Sequence, residues 1–283
     1  MNINEKLQCE LYNIKMTDEE FKKFSSFITT NFGIKLPEIK KVMLQSRLQK
    51  RLQKLNITSF KKYFDYLFSK GNEQEIINMI DVVSTNKTDF FREPQHFTFL
   101  NDEILPELVR KKKEIKIWSA GCSSGEESYT LAIVLAEFLK NYKNITYSIF
   151  ASDISLDILQ KAANAIYKEE KVTEMPIEIK KKYLLKSKDR TKPTVRIIPE
   201  LRRKVNFERI NLMEEKYNVN TIFDIIFCRN VLIYFDRTNQ EKIINKLCEN
   251  LIVGGYFFIG HSESLLKMDL PLRQIKPTIF QKI

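Results

Sequence analysis

Hydrophobic residues in the first part of the chain recur every three or four positions, which is the periodicity of amphipathic helices. The first such run follows Thr17 and Glu20, whose spacing is typical of a capping box at a helix start. A second helix is predicted from about Pro37 to Leu55, and two further apolar runs cover residues 60–68 and 76–83. This pattern predicts an all-α N-terminal domain over residues 1–85.

From residue 86 onward, short β-type runs alternate with stretches of helical periodicity. After a linker at residues 86–97, residues 115–118 predict a strand and residues 131–139 the helix that follows it. Further strands are predicted at 145–153, 205–212, 223–228, 254–259 and 278–283, and further helices at 155–165 and 240–251. Alternation of this kind predicts an α/β domain with a parallel sheet over residues 86–283.

The turn between the first strand and its helix contains Gly121 and Gly125, two of only seven glycines in the chain. Glycine lets the backbone bend sharply and lets a ligand approach closely, and the helix start offers free N–H groups. The turn lacks the third glycine of a dinucleotide fingerprint and the lysine of a P-loop. Glu126 and Glu127 follow it, and they favour a ligand with positive charge or hydroxyl donors over phosphate. The alternative is structural: the two serines of the turn cap the helix, and the glutamates complete a capping box.

An acidic residue, Asp153, ends the second predicted strand about 28 residues after Gly125. In nucleotide-binding α/β folds, an acid at this position accepts hydrogen bonds from ribose hydroxyls. Because the carboxyl ends of parallel strands meet at one edge of a sheet, Asp153 and the glycine turn are expected to lie side by side. We therefore favour the ribose role over the alternative that Asp153 caps the helix at residues 155–165.

The chain carries a formal net charge of +11, which predicts an acidic partner such as nucleic acid, anionic lipid or an acidic protein. Two segments concentrate this charge. The predicted second helix carries a basic stripe beside its leucines, formed by Arg47, Lys50, Arg51 and Lys54. Residues from about 180 to 204 form a basic insertion with β-hairpin character. The alternatives are a solvated helix face and a lysine-rich composition with no partner at all.

The sequence contains no apolar run of the roughly 18 to 20 residues that a membrane helix needs, and its start lacks the apolar core of a signal peptide. We therefore expect a cytoplasmic protein without membrane insertion. The four cysteines, Cys9, Cys122, Cys228 and Cys248, show no paired spacing, and only two histidines are present. This composition predicts reduced thiols and no metal site.

Five motifs in the second part of the chain closely resemble those of the CheR-type chemoreceptor glutamate methyltransferases, which use S-adenosylmethionine. They are Thr-Asp-Phe-Phe-Arg-Glu at 88–93, Trp-Ser-Ala-Gly-Cys-Ser-Ser-Gly-Glu-Glu at 118–127, Ala-Ser-Asp-Ile at 151–154, Phe-Cys-Arg-Asn-Val-Leu-Ile-Tyr-Phe at 227–235 and Gly-His-Ser-Glu at 260–263. They run in family order over nearly the whole chain. The resemblance implies a Rossmann-like S-adenosylmethionine-dependent methyltransferase sheet with a small β-subdomain insertion, preceded by an all-α domain.

The resemblance also implies roles for particular residues. Cofactor contacts are implied at Asn86, Thr88, Arg92, Glu127, Asp153, Asn211, Leu212, Arg229 and Asn230, with Arg92 and Tyr234 as the catalytic residues. The implied partner is the cytoplasmic helical domain of a chemoreceptor, and the basic stripe on the second helix is expected to bind it. The product is S-adenosylhomocysteine, and we expect a monomer. Family members that tether to a receptor's C-terminal peptide have glycine in the hairpin of the insertion, whereas this chain has Pro193-Thr-Val.

The chemistry of the residues agrees with carboxylate methylation. A glutamate side chain has a pKa near 4.3 and is already a nucleophile at neutral pH, so its methylation requires no general base. Two alternatives remain open: a nucleic-acid methyltransferase, suggested by the basic charge, and a cofactor-binding sensor without turnover. Against the first, the strand end reads Cys228-Arg-Asn-Val rather than the Asn-Pro-Pro-Tyr type of adenine methylases.

Overall fold

A computed structural model describes residues 14–283 of the chain. The chain divides into a helical unit, which extends to Thr85 and includes Tyr234–Asp236, and a second unit formed by Asn86–Ile233 and Arg237–Ile283. Three cysteines are buried free thiols in the second unit, whereas Cys9 lies outside the described residues. Within residues 14–283, no helix has both the length and the apolar character that a bilayer crossing requires.

The described part of the helical unit contains α1 (Asp18–Phe32), a 3₁₀ turn (Glu38–Lys40), α2 (Lys41–Leu55), α3 (Phe60–Leu67) and α4 (Glu73–Val83). The predicted capping box at the start of α1 is confirmed. The hydroxyl of Thr17 accepts from the Glu20 amide at 3.1 Å, and the Glu20 carboxylate accepts from the Thr17 amide at 2.8 Å. Gly33 ends the helix in the left-handed conformation, with a φ of 70°, as is common at helix C-termini.

Aromatic and leucine side chains form the core of the helical unit. Phe24 is fully buried and contacts three aromatic rings of α3, those of Phe60, Tyr63 and Phe64. The leucine stripe of α2 is buried as predicted, since Leu44, Leu48 and Leu52 expose none of their surface. These contacts bury the apolar faces that the sequence pattern assigns to α1, α2 and α3.

The basic stripe predicted on α2 is wrong for one of its four members. Arg51 is buried, with 8% of its surface exposed, and it forms a bidentate ion pair with Glu75 of α4 at 2.8 and 2.5 Å. Arg47 is half-buried and donates to the carbonyl oxygens of Val83 and Ser84. Lys50 and Lys54 alone of the four are exposed. The side of the stripe nearest the leucines packs against α4, so a basic residue on that side is buried.

The second unit begins with α5 (Gln95–Phe99), a π-helical turn (Leu100–Ile104) and α6 (Leu105–Lys111). Its main sheet contains β1 (Glu114–Ala120), β2 (Thr146–Asp153), β6 (Val205–Arg209), β7 (Phe223–Cys228), β8 (Leu251–Ile259), β9 (Leu272–Lys276) and β10 (Ile279–Lys282). The helices α7 (Glu126–Phe138), α8 (Leu156–Asn164) and α11 (Arg237–Glu249) connect its strands, and α10 (Pro199–Arg202) precedes β6. The strand order is β6-β2-β1-β7-β8-β10-β9.

Five neighbouring strands, β6, β2, β1, β7 and β8, are parallel, whereas β10 pairs antiparallel with both β8 and β9. This confirms the predicted α/β class with a largely parallel sheet. Strand β7 is buried along its whole length, which is usual for a central parallel strand. The strand β9 was not predicted, because four of its five residues are exposed and carry no apolar alternation.

A separate three-stranded sheet is inserted between α8 and β6. Its strands are antiparallel in the order β3-β5-β4, with β3 (Ile166–Lys168), β4 (Leu184–Lys186) and β5 (Thr194–Ile197). The helix α9 (Ile177–Tyr183) lies between β3 and β4 in the chain. The small β-subdomain of the predicted fold is therefore present. The subdomain begins before the basic insertion predicted at about 180–204, because β3, which pairs with β5, precedes that insertion in the chain.

Candidate functional site

The candidate site lies where the parallel strands of the second unit end. Strands β6, β2, β1 and β7 are consecutive neighbours and run in the same direction, so their carboxyl ends share one edge of the sheet. The glycine turn follows β1, Asp153 ends β2, Asn211 follows β6, and Arg229 follows β7. Ligands of open α/β sheets bind at this edge. The structure thus brings together predicted residues from four strands.

The glycine turn requires its first glycine for two reasons. Gly121 has a φ of 76°, and a Cβ at this position would lie 2.3 Å from a methyl carbon of Val231. Only glycine meets both conditions without strain. The amides of Gly121 and Cys122 donate to the carbonyl oxygen of Ser152 at the end of β2, at 2.7 and 2.9 Å. These hydrogen bonds hold the turn against the neighbouring strand.

Asp153 connects the glycine turn to the start of α8. One carboxylate oxygen accepts from the Ser123 amide at 2.9 Å, and the other accepts from the Ser155 amide at 3.1 Å. The side chain that caps α8 is Ser155, whose hydroxyl accepts from the Ile158 amide at 3.2 Å. The alternative in which Asp153 is the helix cap is therefore wrong. A carboxylate oxygen can accept more than one hydrogen bond, so these contacts are compatible with a ligand hydroxyl at the same group.

The two glutamates after the turn do not form a capping box. The residue that caps α7 is Gly125, and no side chain caps that helix. The buried carboxylate of Glu126 accepts from the Ser124 hydroxyl at 2.6 Å, and burial raises the pKa of this carboxyl. Glu127 accepts from the Ser119 hydroxyl at 2.7 Å and forms an ion pair with Arg229 at 2.9 Å. The capping alternative is therefore wrong: both carboxylates accept from serine hydroxyls instead of helix amides, and Glu127 also pairs with Arg229.

Arg229 forms the centre of a buried ion network. Only 2% of its side chain is exposed, and its guanidinium pairs with Glu127 and with Glu93, which lies 3.0 Å away. The guanidinium also lies over the ring of Phe97, 5.4 Å from its centroid, a favourable cation–π arrangement. Burial favours a raised pKa for Glu93, but the charge and hydrogen bonds of Arg229 hold it below its usual value. The Nε atom of Arg229 is buried and has no hydrogen-bond partner among the described residues.

Asn230 adopts a left-handed conformation with a φ of 59°, which asparagine tolerates better than most residues. Its Nδ2 donates to Glu93 at 3.2 Å, and its amide donates to Glu263 at 3.0 Å. Gly260 is needed beneath it, because a Cβ there would lie 2.3 Å from Asn230 Nδ2. Burial raises the pKa of Glu263, although several backbone amides oppose this shift. No role was predicted from the sequence for Glu93 or Glu263, although both lie within the motifs that carry the resemblance.

The segment before α5 runs along the glycine turn. The carbonyl oxygen of Asn86 accepts from the Ser123 hydroxyl at 3.2 Å, and that of Thr88 accepts from Lys171 at 2.8 Å. The guanidinium of Arg92 donates to the Lys87 carbonyl at 3.2 Å, and its side chain is half-buried.

After β6, the Asn211 side chain accepts from the Met213 amide at 3.0 Å, and Leu212 is buried. Tyr234 ends a 3₁₀ turn (Leu232–Tyr234) and is grouped with the helical unit, where its carbonyl oxygen accepts from the Lys35 amide at 3.0 Å. The cofactor contacts of all these residues and the catalytic role of Tyr234 stay predictions.

Comparison with known families identifies both units. Residues 86–280 match the model of the CheR methyltransferase, SAM binding domain, and residues 19–84 match that of the CheR methyltransferase, all-alpha domain. This chain belongs to the CheR methyltransferase family. The resemblance stated from the motifs is thereby confirmed, together with the predicted fold class and the assignment as an S-adenosylmethionine-dependent methyltransferase.

Curated relatives of this CheR chain match it over most of their own length. A chemotaxis protein methyltransferase of Borreliella burgdorferi is 41% identical over 95% of this chain and 96% of its own. Chemotaxis protein methyltransferase 2 of Pseudomonas aeruginosa is 36% identical over 93% of both chains. The chemotaxis protein methyltransferase of Escherichia coli is 35% identical over 90% of this chain and 88% of its own. The comparison therefore covers both units.

The residues at the strand edge fit S-adenosylmethionine. The Asp153 carboxylate can accept hydrogen bonds from ribose hydroxyls, and the edge contains a buried guanidinium nitrogen without a partner among the described residues. The half-buried ring of Phe90 packs edge-to-face on Tyr167, with centroids 4.9 Å apart, beside the turn. A carboxylate, a donor and aromatic surface match the hydroxyl, carboxylate and sulfonium groups of this cofactor.

Both histidines of the chain lie at the same edge. His96 and His261 flank Glu93, and one ligand atom from each of the three residues lies within 4.8 Å of the other two. Burial, followed by the nearby Arg229 charge, lowers the pKa of His96 to about 4, so its imidazole is neutral at pH 7. This cluster was not predicted from the sequence. The spacing of Glu93 and His96, three residues apart at the start of α5, was the available signal.

Proposed function

We propose that this CheR methyltransferase transfers the methyl group of S-adenosylmethionine to glutamate side-chain carboxylates of bacterial chemoreceptors, forming glutamyl methyl esters. The observation that supports this most strongly is the position of the Asp153 carboxylate beside the glycine turn, at the carboxyl ends of the parallel strands, in a chain that belongs to this family. The relatives from Borreliella burgdorferi and Escherichia coli are named chemotaxis protein methyltransferases. The proposal extends that name to a carboxylate substrate and a receptor partner.

In the proposed complex, Asp153 accepts hydrogen bonds from the ribose hydroxyls, and Arg92 pairs with the cofactor carboxylate. The bound cofactor supplies an electrophilic methyl group on a sulfonium. Glu127 keeps its hydrogen bond to Ser119, so its orientation is fixed before a ligand arrives. Asn86, Thr88, Asn211 and Leu212 complete the proposed cradle from the two flanking segments. Arg229 and Asn230 are also proposed cofactor contacts. The terminal nitrogens of Arg229 are already paired with Glu127 and Glu93, which leaves its Nε as the donor toward the cofactor.

The proposed transfer needs no general base. Bound S-adenosylmethionine would supply a methyl group to a substrate carboxylate oxygen, with S-adenosylhomocysteine as the product, and no proton would have to be moved. Since a negative and a positive charge disappear together, alignment and exclusion of water supply most of the rate. Phe90 and Tyr234 are the proposed aromatic contacts of the reacting groups. A reaction that needs no general base is compatible with this site, because the neutral His96 is already hydrogen-bonded to Thr278.

We propose that the receptor-binding surface uses Lys50 and Lys54 of α2 rather than all four predicted basic residues. Both lysines are exposed, whereas Arg51 is neutralised by Glu75 and Arg47 is occupied by backbone carbonyls. Exposed charges at an interface contribute about 0.2 to 1 kcal/mol each, mainly through the association rate. The double variant Lys50→Glu with Lys54→Glu is therefore expected to raise the receptor KM by about 2- to 30-fold.

The control for this experiment reverses two exposed lysines of the second unit, Lys113→Glu with Lys143→Glu, and thus makes the same change in net charge. The α2 variant should keep the S-adenosylmethionine affinity of the parent and should show a flatter dependence of rate on salt. Equal receptor KM values for the two double variants at low ionic strength would move the recognition surface away from α2.

The function itself is tested with labelled S-adenosylmethionine and either receptor membranes or RNA. A glutamyl methyl ester releases volatile methanol in base, whereas methyl groups on nucleobases do not. Base-labile label on receptors alone is the expected result. Base-stable label on RNA would support the nucleic-acid methyltransferase instead. Cofactor binding by calorimetry without label transfer to either substrate would indicate a sensor module.

A further inference from the structure

The chain has only two histidines, and the fold brings them to the same carboxylate. Nδ1 of His96 lies 3.6 Å from Oε2 of Glu93, and Nε2 of His261 lies 3.9 Å from the same oxygen. Glu93 precedes α5 and His96 lies in its first turn, whereas His261 follows β8. Two imidazoles and a carboxylate thus converge from separate parts of the second unit.

The hydrogen bonds around His96 determine which ring nitrogen is free. Nε2 lies 2.7 Å from the Thr278 hydroxyl oxygen, and that hydroxyl donates to the Pro277 carbonyl at 2.6 Å. With the hydroxyl proton assigned to that carbonyl, the Thr278 oxygen accepts and His96 Nε2 carries the ring proton. Nδ1 then presents a bare lone pair. This atom is buried and has no hydrogen-bond partner among the described residues, and 2% of the side chain is exposed.

A lone pair directed at a carboxylate is unfavourable unless a cation lies between them. The surrounding charges also favour a cation. Glu93 and Glu127 share the single guanidinium of Arg229, so the three side chains carry one negative charge in excess. Arg229 uses one lone pair of Glu93 Oε2, and the oxygen keeps another on its remaining side. The half-exposed side chain of His261, 48% accessible, provides a path from solvent.

We propose that Glu93, His96 and His261 form a binding site for a divalent transition metal ion, Zn²⁺, with three protein ligands and a fourth position open to water. Tetrahedral zinc with bonds of about 2.0–2.1 Å places its ligand atoms roughly 3.3 Å apart. The separations of 3.6 and 3.9 Å are close to this value, so small side-chain rotations complete the site. Two nitrogen ligands favour zinc over magnesium or calcium, which prefer all-oxygen sites.

The Thr278 hydroxyl acts as a positioning group for this site. Metal-bound histidines commonly donate their second ring nitrogen to an oxygen acceptor, which fixes the tautomer and the ring orientation. Thr278 makes this contact from the turn between β9 and β10. A bound ion would therefore join the α5 segment to the turn after β8, with His96 held from its far side by the last hairpin.

The site is tested by titrating the metal-stripped full-length protein with ZnCl₂ in a calorimeter, and with CoCl₂ while the visible absorption is recorded. We expect one ion per chain and a cobalt spectrum without thiolate charge-transfer bands. His261→Ala removes an exposed ligand and should weaken Zn²⁺ binding by at least about 100-fold, since loss of an outer-shell partner alone costs about 10- to 100-fold. Ser262→Ala, an exposed neighbour, and Cys9→Ser should bind like the parent.

A second pair of variants tests the orientation of His96. Thr278→Ala removes the hydroxyl acceptor and should weaken Zn²⁺ binding by about 10- to 100-fold, whereas Thr278→Ser retains it and should restore the affinity. Zn²⁺ should also raise the Tm of the parent and of Thr278→Ser but not that of His261→Ala. The proposal is overturned if the parent binds no Zn²⁺, or if His261→Ala binds it as tightly as the parent.

Discussion

The buried ion pair of the helical unit gives a sharp test of the fold, because a neighbouring lysine provides a matched control. Arg51 donates two hydrogen bonds to Glu75, at 2.8 and 2.5 Å, and the two residues expose 8% and 5% of their surface. Glu75 also accepts from Tyr63 at 2.8 Å and from Asn78 at 3.0 Å. Replacing Arg51 with methionine preserves most of the apolar length of the side chain but leaves the Glu75 carboxylate with neutral donors only.

Removal of one partner from a buried pair costs about 3 to 5 kcal/mol, because the other charge stays buried without compensation. Two neutral hydrogen bonds remain on Glu75, so we expect Arg51→Met to lower the free energy of unfolding by about 3 kcal/mol, the lower end of that range. Lys50→Met changes the adjacent exposed residue of the same helix and should stay within about 0.5 kcal/mol of the parent.

The pH dependence of stability should change sign in the Arg51 variant. In the parent, burial favours a raised pKa for Glu75, but hydrogen bonds from Arg51, Asn78 and Tyr63 outweigh it and hold the pKa below its usual value. The stabilisation is therefore complete above the unfolded pKa of about 4.3 and is lost as the pH falls through the lower folded value. Without Arg51, burial dominates and the folded pKa rises. The variant should then gain stability as the pH falls from 7 toward about 4.3.

Urea unfolding followed by far-UV circular dichroism reports the helices of both units, whereas the fluorescence of the single tryptophan, Trp118, follows the second unit alone. A circular dichroism transition that the fluorescence does not share therefore measures the helical unit. The measurement is made at pH 7 and pH 5 for the parent and both variants. Equal midpoints for Arg51→Met and Lys50→Met, or parallel pH trends, would refute the buried pair. Arg51 would then be available as part of the receptor surface.

Three further predictions concern the strand edge. Asp153→Ala should weaken S-adenosylmethionine binding by about 1 to 3 kcal/mol in calorimetry, and unchanged affinity in a folded variant would limit Asp153 to a structural role. Tyr234→Phe should bind the cofactor normally but slow single-turnover transfer, and an unchanged rate would remove Tyr234 from the reacting centre. Gly260→Ala should lower stability by about 1 to 3 kcal/mol and weaken cofactor affinity, because its Cβ would lie 2.3 Å from Asn230 Nδ2. As a control, Gly254→Ala meets no atom within 4 Å and should bear only the strain of its φ of 79°, and a Gly260 variant with no larger effect would contradict the clash.

The elements that the sequence determined by itself are those with local signals. The Thr17 capping box, the leucine stripe of α2 and the strand, turn and helix around Gly121 depend on residues within a few positions of one another. Such patterns can be read before the chain is folded because their periodicity reflects the geometry of one helix or strand. Short edge strands lack this signal, so β3 and β9 were not predicted.

The tertiary structure alone decided what each charged side chain does. Arg51 and Lys50 are adjacent basic residues, and only the position of Glu75 on another helix makes one a buried partner and leaves the other exposed. Similarly, Glu93, Arg229 and His261 are distant in sequence. Arg229 and His261 follow the neighbouring parallel strands β7 and β8, and the segment before α5 brings Glu93 to the same edge. Pairing across elements depends on packing distances of a few ångströms. Those distances arise only when the sheet and the helices have assembled.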